Sequence, residues 1–382
     1  LGIKNINLIV AGLVLLLVSA YIDNLRGPLI PILKDLYQLN YTQSGFFVFF
    51  SYPVAILFSF ALGPLFNKFG TKSVAYGICV LGLATFVFPL LVDSYSKLLA
   101  FGVMIGAATS TFGTLCNILV IQGTESIARV RMMCALHMMY GAGSFVAPSM
   151  VTMLQAQGIA WNWYFLIGPP LLIVLIIVAL KTAKIDDHEE RIPQSMKISY
   201  RELIAVMCIA LYVGAEVVTS MWLSSYLQDV KGLSLSESGF YLSLFFGFIF
   251  FSRMLGFFVV RPHNEVKAYW IALFAGAAGL GIGYLGYYWG FGLAGCMGLF
   301  FPVFLGRAST IFQSSWRSMT IWTLVVMQIT LMILHFTVGN LADAVGLEIA
   351  FYLPMILIIA ALLMVFYFKH LSGPDLKAPQ TS

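Results

Sequence analysis

Apolar runs recur along this chain, and each is about as long as a helix must be to cross bilayer hydrocarbon, ~20 residues at ~1.5 Å per residue. Twelve spans are expected, at 7–33, 42–66, 73–92, 96–123, 132–155, 161–182, 200–228, 237–260, 267–287, 289–312, 317–340 and 346–369. One long hydrophilic stretch, "AKIDDHEERIPQSMKIS" at 183–199, interrupts them. It is expected to be a linker between two six-helix halves, residues 1–182 and 200–382. A soluble domain carries about 25% charged residues. This chain carries 10%, with 60% apolar residues, and its mean hydropathy is +0.92. Its fold class is therefore an all-α membrane protein.

Lysine and arginine give the orientation, because they concentrate on the cytoplasmic side of membrane proteins. On one side lie Lys4, Lys68, Lys72, Arg129, Arg131, Lys181, Lys184, Arg191, Lys197, Arg201, Arg261, Lys267, Arg307, Arg317, Lys369 and Lys377. Only Lys34, Lys97 and Lys231 lie on the other, with Arg26 and Arg253 inside spans. Both termini and the linker are expected in the cytoplasm. The basic residues form no stripe, so nucleic acid is not an expected partner. The five cysteines fall in apolar runs without metal-site spacing and read as packing residues, and no cleavable signal peptide is expected.

The halves repeat. "LNYTQSGFFVFFSY" at 39–52 matches "LSLSESGFYLSLFF" at 233–246 at an offset of 194, with Leu39/Leu233, Ser44/Ser238, Gly45/Gly239 and Phe46/Phe240 coinciding. Two parallel six-helix repeats are the architecture of a rocker-type secondary transporter, whose site lies near the midplane between them.

The loop "GPLFNKFGTK" at 63–72 resembles the G-x-x-x-D-R-x-G-R-K loop of the major facilitator superfamily. That resemblance assigns Gly63, Asn67, Lys68, Gly70 and Lys72 to conformational gating. Asn67 and Thr71 replace the family's Asp and second Arg, which weakens the usual charge clasp. Within the superfamily the chain resembles the branch of fucose:proton symporters and sodium-dependent glucose transporters. The segments that carry this are "YVGAEVVTSMWLSSYLQD" at 212–229, "NILVIQGTESIARVR" at 117–131 and "LHMMYGAGSFVAP" at 136–148. The branch's acid in helix four falls here on Gly113, and its helix-one Asp on Gly27. Fold and transport carry over; sugar specificity and the usual proton site do not.

Charge inside a bilayer costs a few kcal/mol and marks candidate sites. Asp23 and Arg26, in "YIDNLRGPLIPIL" at 21–33, are three apart and share a helix face just before Pro28 and Pro31. They either neutralise each other or face the cavity, where Arg26 grips the substrate. Glu216 stands one position from the repeat equivalent of Asp23 and has no basic residue within a turn. A desolvated acid without a nearby cation is free to carry a proton, so Glu216 is the expected coupling group, with Asp23 beside it. Sodium is the alternative coupling ion, and no other cofactor or metal is expected. Arg253, eight residues from the end of its span, is expected to snorkel to the cytoplasmic surface.

Asp23, Asn24, Arg26, Asn117, His137, Tyr140, Tyr212 and Trp222 are the expected substrate-binding residues. Tyr212, Trp222 and Tyr226 could form a stacking platform for a sugar, or serve packing alone. No P-loop or nucleophile elbow occurs, and no enzymatic activity is expected. The expectation is a monomeric, proton-coupled symporter of a sugar or related polar solute, multi-pass in a bacterial inner membrane. The alternatives are proton-coupled efflux of lipophilic compounds, uptake of an organic anion gripped by Arg26, and a transport-dead scaffold.

Overall fold

The protein was analysed as a computed structural model, which describes residues 3–125, 129–167, 169–182, 198–261, 263–312 and 315–372. Of the expected linker, residues 183–197 lie outside the described residues. In chain order the long helices are α1 (Ile6–Tyr37), α2 (Tyr41–Phe69), α3 (Thr71–Leu91), α4 (Tyr95–Gly123), α5 (Arg129–Ala156) and α6 (Trp161–Lys181). They continue with α7 (Tyr200–Val230), α8 (Leu235–Val259), α9 (Glu265–Tyr284), α10 (Trp289–Ala308), α11 (Ile321–Val345) and α12 (Leu347–His370). Among the described residues, all but α5 are long and apolar enough to cross a membrane, eleven in total. The span expected at 132–155 is a 28-residue helix. His137, Ser144, Ser149, Thr152 and Gln155 lower its hydropathy.

Local sequence explains where several helices begin and end. Asn5 opens α1 by accepting from Asn7 N at 3.0 Å and Leu8 N at 3.4 Å. The helix continues to Tyr37 with Pro28 and Pro31 inside it, four residues past the expected end. Proline is tolerated in membrane helices where neighbours cover the interrupted ladder. The repeat recurs in capping: Asn40 and Gln43 form a capping box at the start of α2, and Ser234 and Glu237 form one at the start of α8. Those pairs are related by the same offset of 194 as the matched segments.

Helices α1 and α7 are the most enclosed, with 72% of the most apolar window of α7 and 61% of that of α1 buried. They pack against each other, while α2 packs on α11 and α5 on α8. Gly45 on α2 lets the His335 carbonyl come within 2.8 Å of where a Cβ would stand. Its repeat partner Gly239 on α8 lies against Thr152 of α5. The matched glycines thus serve related contacts across one seam between the halves, which explains why a side chain is missing at both places.

The seam is closed at the end away from the termini. The Asp343 carboxylate of α11 accepts from Tyr41 N at 2.9 Å and Thr42 N at 2.8 Å, capping α2 from the opposite half. Asp229, at the end of α7, accepts from Lys34 Nζ at 2.6 Å and from Tyr41 Oη at 2.9 Å. Negative charge at a helix N-terminus is stabilising. Losing the cap in Asp343→Ala should weaken closure by about 1 kcal/mol. A cysteine placed at Ser44, which is buried, should then react about fivefold faster with a membrane-impermeant maleimide. An unchanged rate would mean that the cap does not hold the seam.

Candidate functional site

Between the halves lies a cavity of about 20 Å³, lined by Asp23, Asn24, Tyr140 and Ser144 from the first half and Glu216, Val217, Ser220, Met221, Phe246 and Ile249 from the second. That is room for roughly one water. A sugar-sized solute needs the halves to part.

On α1, Asp23 lies at the cavity and Arg26 one turn on. Arg26 pairs with the Asp23 carboxylate, donates from Nε to the Asp23 carbonyl at 3.1 Å and from Nη1 to Ser51 Oγ at 2.9 Å. Tyr140 of α5 donates to the other carboxylate oxygen at 3.1 Å. Asn24 donates to Ser144 Oγ at 2.8 Å and to the Ala20 carbonyl at 2.9 Å. Arg26 itself is only 3% exposed and is directed at α2, so it is not one of the cavity-lining groups.

Glu216 on α7 is held in a related way. Tyr212, one turn earlier, donates to its Oε2. Arg253 of α8 approaches both carboxylate oxygens at 3.5 Å and donates from Nε to the Gly298 carbonyl at 3.0 Å. This corrects two expectations. Glu216 does have a cation beside it, and Arg253 does not snorkel to the cytoplasmic end. Packing of α8 against α7 and the Gly298 carbonyl gives the guanidinium two acceptors inside the protein, which is the alternative to hydration. Each acid therefore has one guanidinium and one phenol. For Asp23 the arginine is intrahelical and the tyrosine comes from α5; for Glu216 the tyrosine is intrahelical and the arginine comes from α8.

Other expected residues are not brought to the cavity. Asn117 donates back to the Gly113 carbonyl of its own helix at 2.6 Å. His137 is exposed and does not line the cavity. Trp222 is buried and donates to His335 Nδ1 at 3.2 Å. Tyr212, Trp222 and Tyr226 do not form one platform: Tyr212 lies against Phe300, Trp222 against Tyr41, and Tyr226 stacks on Phe351. The three share one broad face of α7 but are spread over about 21 Å of its axis, so Tyr212 meets α10, Trp222 meets α2 and Tyr226 meets α12.

The segment expected to gate is helical on both sides of a tight turn at Gly70. Gly70 has φ +76° and donates to the Phe66 carbonyl at 2.9 Å, a conformation that favours glycine. Asn67 is exposed, Lys68 lies over the Phe69 ring, and Lys72 reaches the Lys181 carbonyl at the end of α6 at 3.4 Å. Gly63 lies within the last part of α2.

The structure also explains a departure noted in the sequence. A Cβ on Gly27 would stand 2.4 Å from the Ser220 carbonyl oxygen across the α1–α7 seam. No side chain fits there in this state, and the acid of α1 lies one turn earlier, at Asp23. At Gly113, by contrast, nothing lies within 4 Å of the Cβ position. Sequence reading missed Arg253, Ser51, Ser144 and Ser220 as parts of the site. Arg253 was visible as an intramembrane charge, but its partner lies 37 residues away.

Comparison with known proteins bears on the family and the fold. Residues 12–326 match the family model described as Major Facilitator Superfamily. A protein named glucose/galactose transporter from Brucella abortus is 25% identical over 288 residues, covering 69% of this chain and 70% of its own. Bypass of stop codon protein 6 of Saccharomyces cerevisiae is 25% identical over 296 residues, covering 68% and 59%. Among solved structures, an inward-facing, unoccupied bacterial homologue of the human lysosomal transporter Spinster matches with TM-score 0.74 at 13% identity, over 97% of this chain and 98% of that one. A D-xylose–proton symporter matches with TM-score 0.70 at 13% identity, over 94% and 96%. The chain is a multi-pass membrane transporter of a small molecule, not an enzyme, and it belongs to the Major Facilitator Superfamily.

Proposed function

We propose that the protein moves a sugar, or a polar solute of similar size, by alternating access as a proton symporter. The observation that carries this is the meeting of Asp23 and Glu216, from opposite halves, at one small cavity in the seam. A carboxylate that shares its pocket with a neighbouring half is placed so that its charge affects how the halves fit together. Proton binding at Glu216 competes with Arg253, which then keeps only the Gly298 carbonyl. Solute in the cavity would take up the hydrogen bonds of Asn24, Tyr140, Ser144 and Ser220 as the halves part. Relatives named for glucose and galactose transport support the solute class, and a fold neighbour that is a D-xylose–proton symporter supports the coupling.

On this reading twelve helices form two bundles of six, at 1–182 and 200–382, with both termini in the cytoplasm. The protein acts as a monomer in a bacterial inner membrane. Proton is preferred over sodium because each acid is already matched by an arginine, leaving no surplus negative charge to hold a metal cation. Uptake of an organic anion through Arg26 is disfavoured, since the guanidinium is engaged by Asp23 and Ser51.

The test is transport in proteoliposomes against a panel of hexoses, pentoses, organic anions and lipophilic cations. A one-unit pH gradient is worth ~1.4 kcal/mol per proton and sets a ceiling of about tenfold accumulation for one proton per solute. Sugar accumulation that follows the pH gradient and ignores sodium is the expected result. Exchange of anions or lipophilic cations without any sugar would overturn the reading.

A further inference from the structure

Beyond the cavity, toward the closed end, the described residues include three buried groups without a partner, Ser224 Oγ, Ser225 Oγ and a ring nitrogen of His335. His335, on α11, is 0% exposed, and its Nδ1 accepts the Trp222 indole N–H at 3.2 Å. A neutral imidazole that accepts at Nδ1 carries its proton on Nε2. That Nε2 is buried and makes no hydrogen bond among the described residues. A buried donor left unsatisfied costs about 1–3 kcal/mol. Native proteins hold few such groups, and each calls for an explanation.

The surroundings of this donor suit a ring-shaped polyol. The Tyr52 ring of α2 stacks on the imidazole, with centroids 5.6 Å apart and planes within 6°. Tyr52 belongs to the first half; His335 and Trp222 belong to the second. The stack therefore crosses the seam, and it must come apart when the halves separate at this end. Ser51, next to Tyr52, accepts from Arg26, which pairs in turn with the cavity-lining Asp23. The stack thus adjoins the cavity through two contacts. His335 lies ten residues before the end of α11 at Val345, about 15 Å along its axis, and Asp23 lies fourteen before the end of α1 at Tyr37, about 21 Å. A solute arriving from the closed end would meet the stack first and the carboxylates second.

We infer that Tyr52, His335 and Trp222 form a second sugar subsite, available only when the seam parts at the end away from the termini. The pyranose ring would enter between the separated Tyr52 and His335 rings, laying a C–H face on an aromatic surface. One of its hydroxyls would accept the Nε2 hydrogen. Closure then drives the ring on toward Asp23 and Glu216 and restores the stack. This rests on the sugar-transport reading above.

The test uses membrane vesicles of both orientations, with initial rates measured for glucose, galactose and xylose. His335→Leu removes the donor and should raise the KM at least about tenfold for sugar presented at the face opposite the termini. At the terminus-bearing face the KM should move less than about twofold, because the stack is closed to that side. His335→Gln keeps an acceptor for Trp222 and a donor, and should return the affected KM to within about threefold of the wild type. Tyr52→Ala should reproduce the one-sided change, while Tyr52→Phe keeps the ring face and should not. The Tyr52 variants give an independent reading if His335→Leu fails to fold. A KM change equal at both faces, or none at either, would overturn the subsite and leave His335 as packing. Wild-type protein that moves no sugar from either face would overturn the sugar reading, and the subsite with it.

Discussion

Glu216→Gln should abolish concentrative uptake while leaving solute exchange intact. The amide matches the protonated acid in shape and still accepts from Tyr212, whose hydroxyl donates to Oε2. It cannot release a proton, so the loaded and empty carriers no longer differ in charge at this position. The accumulation ratio should fall to about 1, and counterflow should stay within about threefold of the wild type, since the coupling free energy is lost but the path is not. Arg253 loses its counter-charge and keeps the Gly298 carbonyl. A stability loss of about 1–3 kcal/mol is therefore expected as well. A detergent-stable Glu216→Gln protein that still accumulates sugar with the wild-type pH dependence would remove Glu216 from the coupling scheme. Asp23 would then be the remaining intramembrane acid at the cavity.

Arg26→Ala should be the most destabilising single change in the membrane interior. The guanidinium is 3% exposed and bonded to the Asp23 carboxylate, the Asp23 carbonyl and Ser51. Removing one partner of such a pair leaves the other charge uncompensated and costs about 3–5 kcal/mol. The expected result is a sharply lowered Tm in detergent and poor yield. Removing both charges, as Asp23→Ala with Arg26→Ala, should recover most of that stability, because the unmatched carboxylate goes too. Transport should remain absent in the double variant. If Arg26→Ala alone were as stable as the wild type, the pair would be a surface feature and not a buried one.

The two intramembrane arginines differ in how legible their partners are from sequence. Asp23 and Arg26 are three residues apart, and helical geometry alone puts them on one face. The capping boxes at Asn40/Gln43 and Ser234/Glu237 and the matched glycines are also readable as a repeat, though their contacts are not. Arg253 and Glu216 are on different helices, and nothing local to either residue points to the other. The same holds for Tyr52, His335 and Trp222, which come from α2, α11 and α7. The expected aromatic platform failed for a related reason. A single helix presents Tyr212, Trp222 and Tyr226 to different neighbours, and which neighbour takes which ring is a property of the bundle.

The chain by itself determined that it lives in a bilayer, how its apolar runs are spaced, that its halves repeat, and that charge is carried into the membrane at positions 23, 26, 216 and 253. These follow from hydropathy and helical periodicity, which act over one or two turns. Only the tertiary structure decided that Asp23 and Glu216 share a cavity, that Arg253 answers Glu216, and that the seam is shut by Asp229 and Asp343 at one end. Those pairings arise where side chains far apart in sequence compete for the same buried space, and packing of whole helices settles that competition.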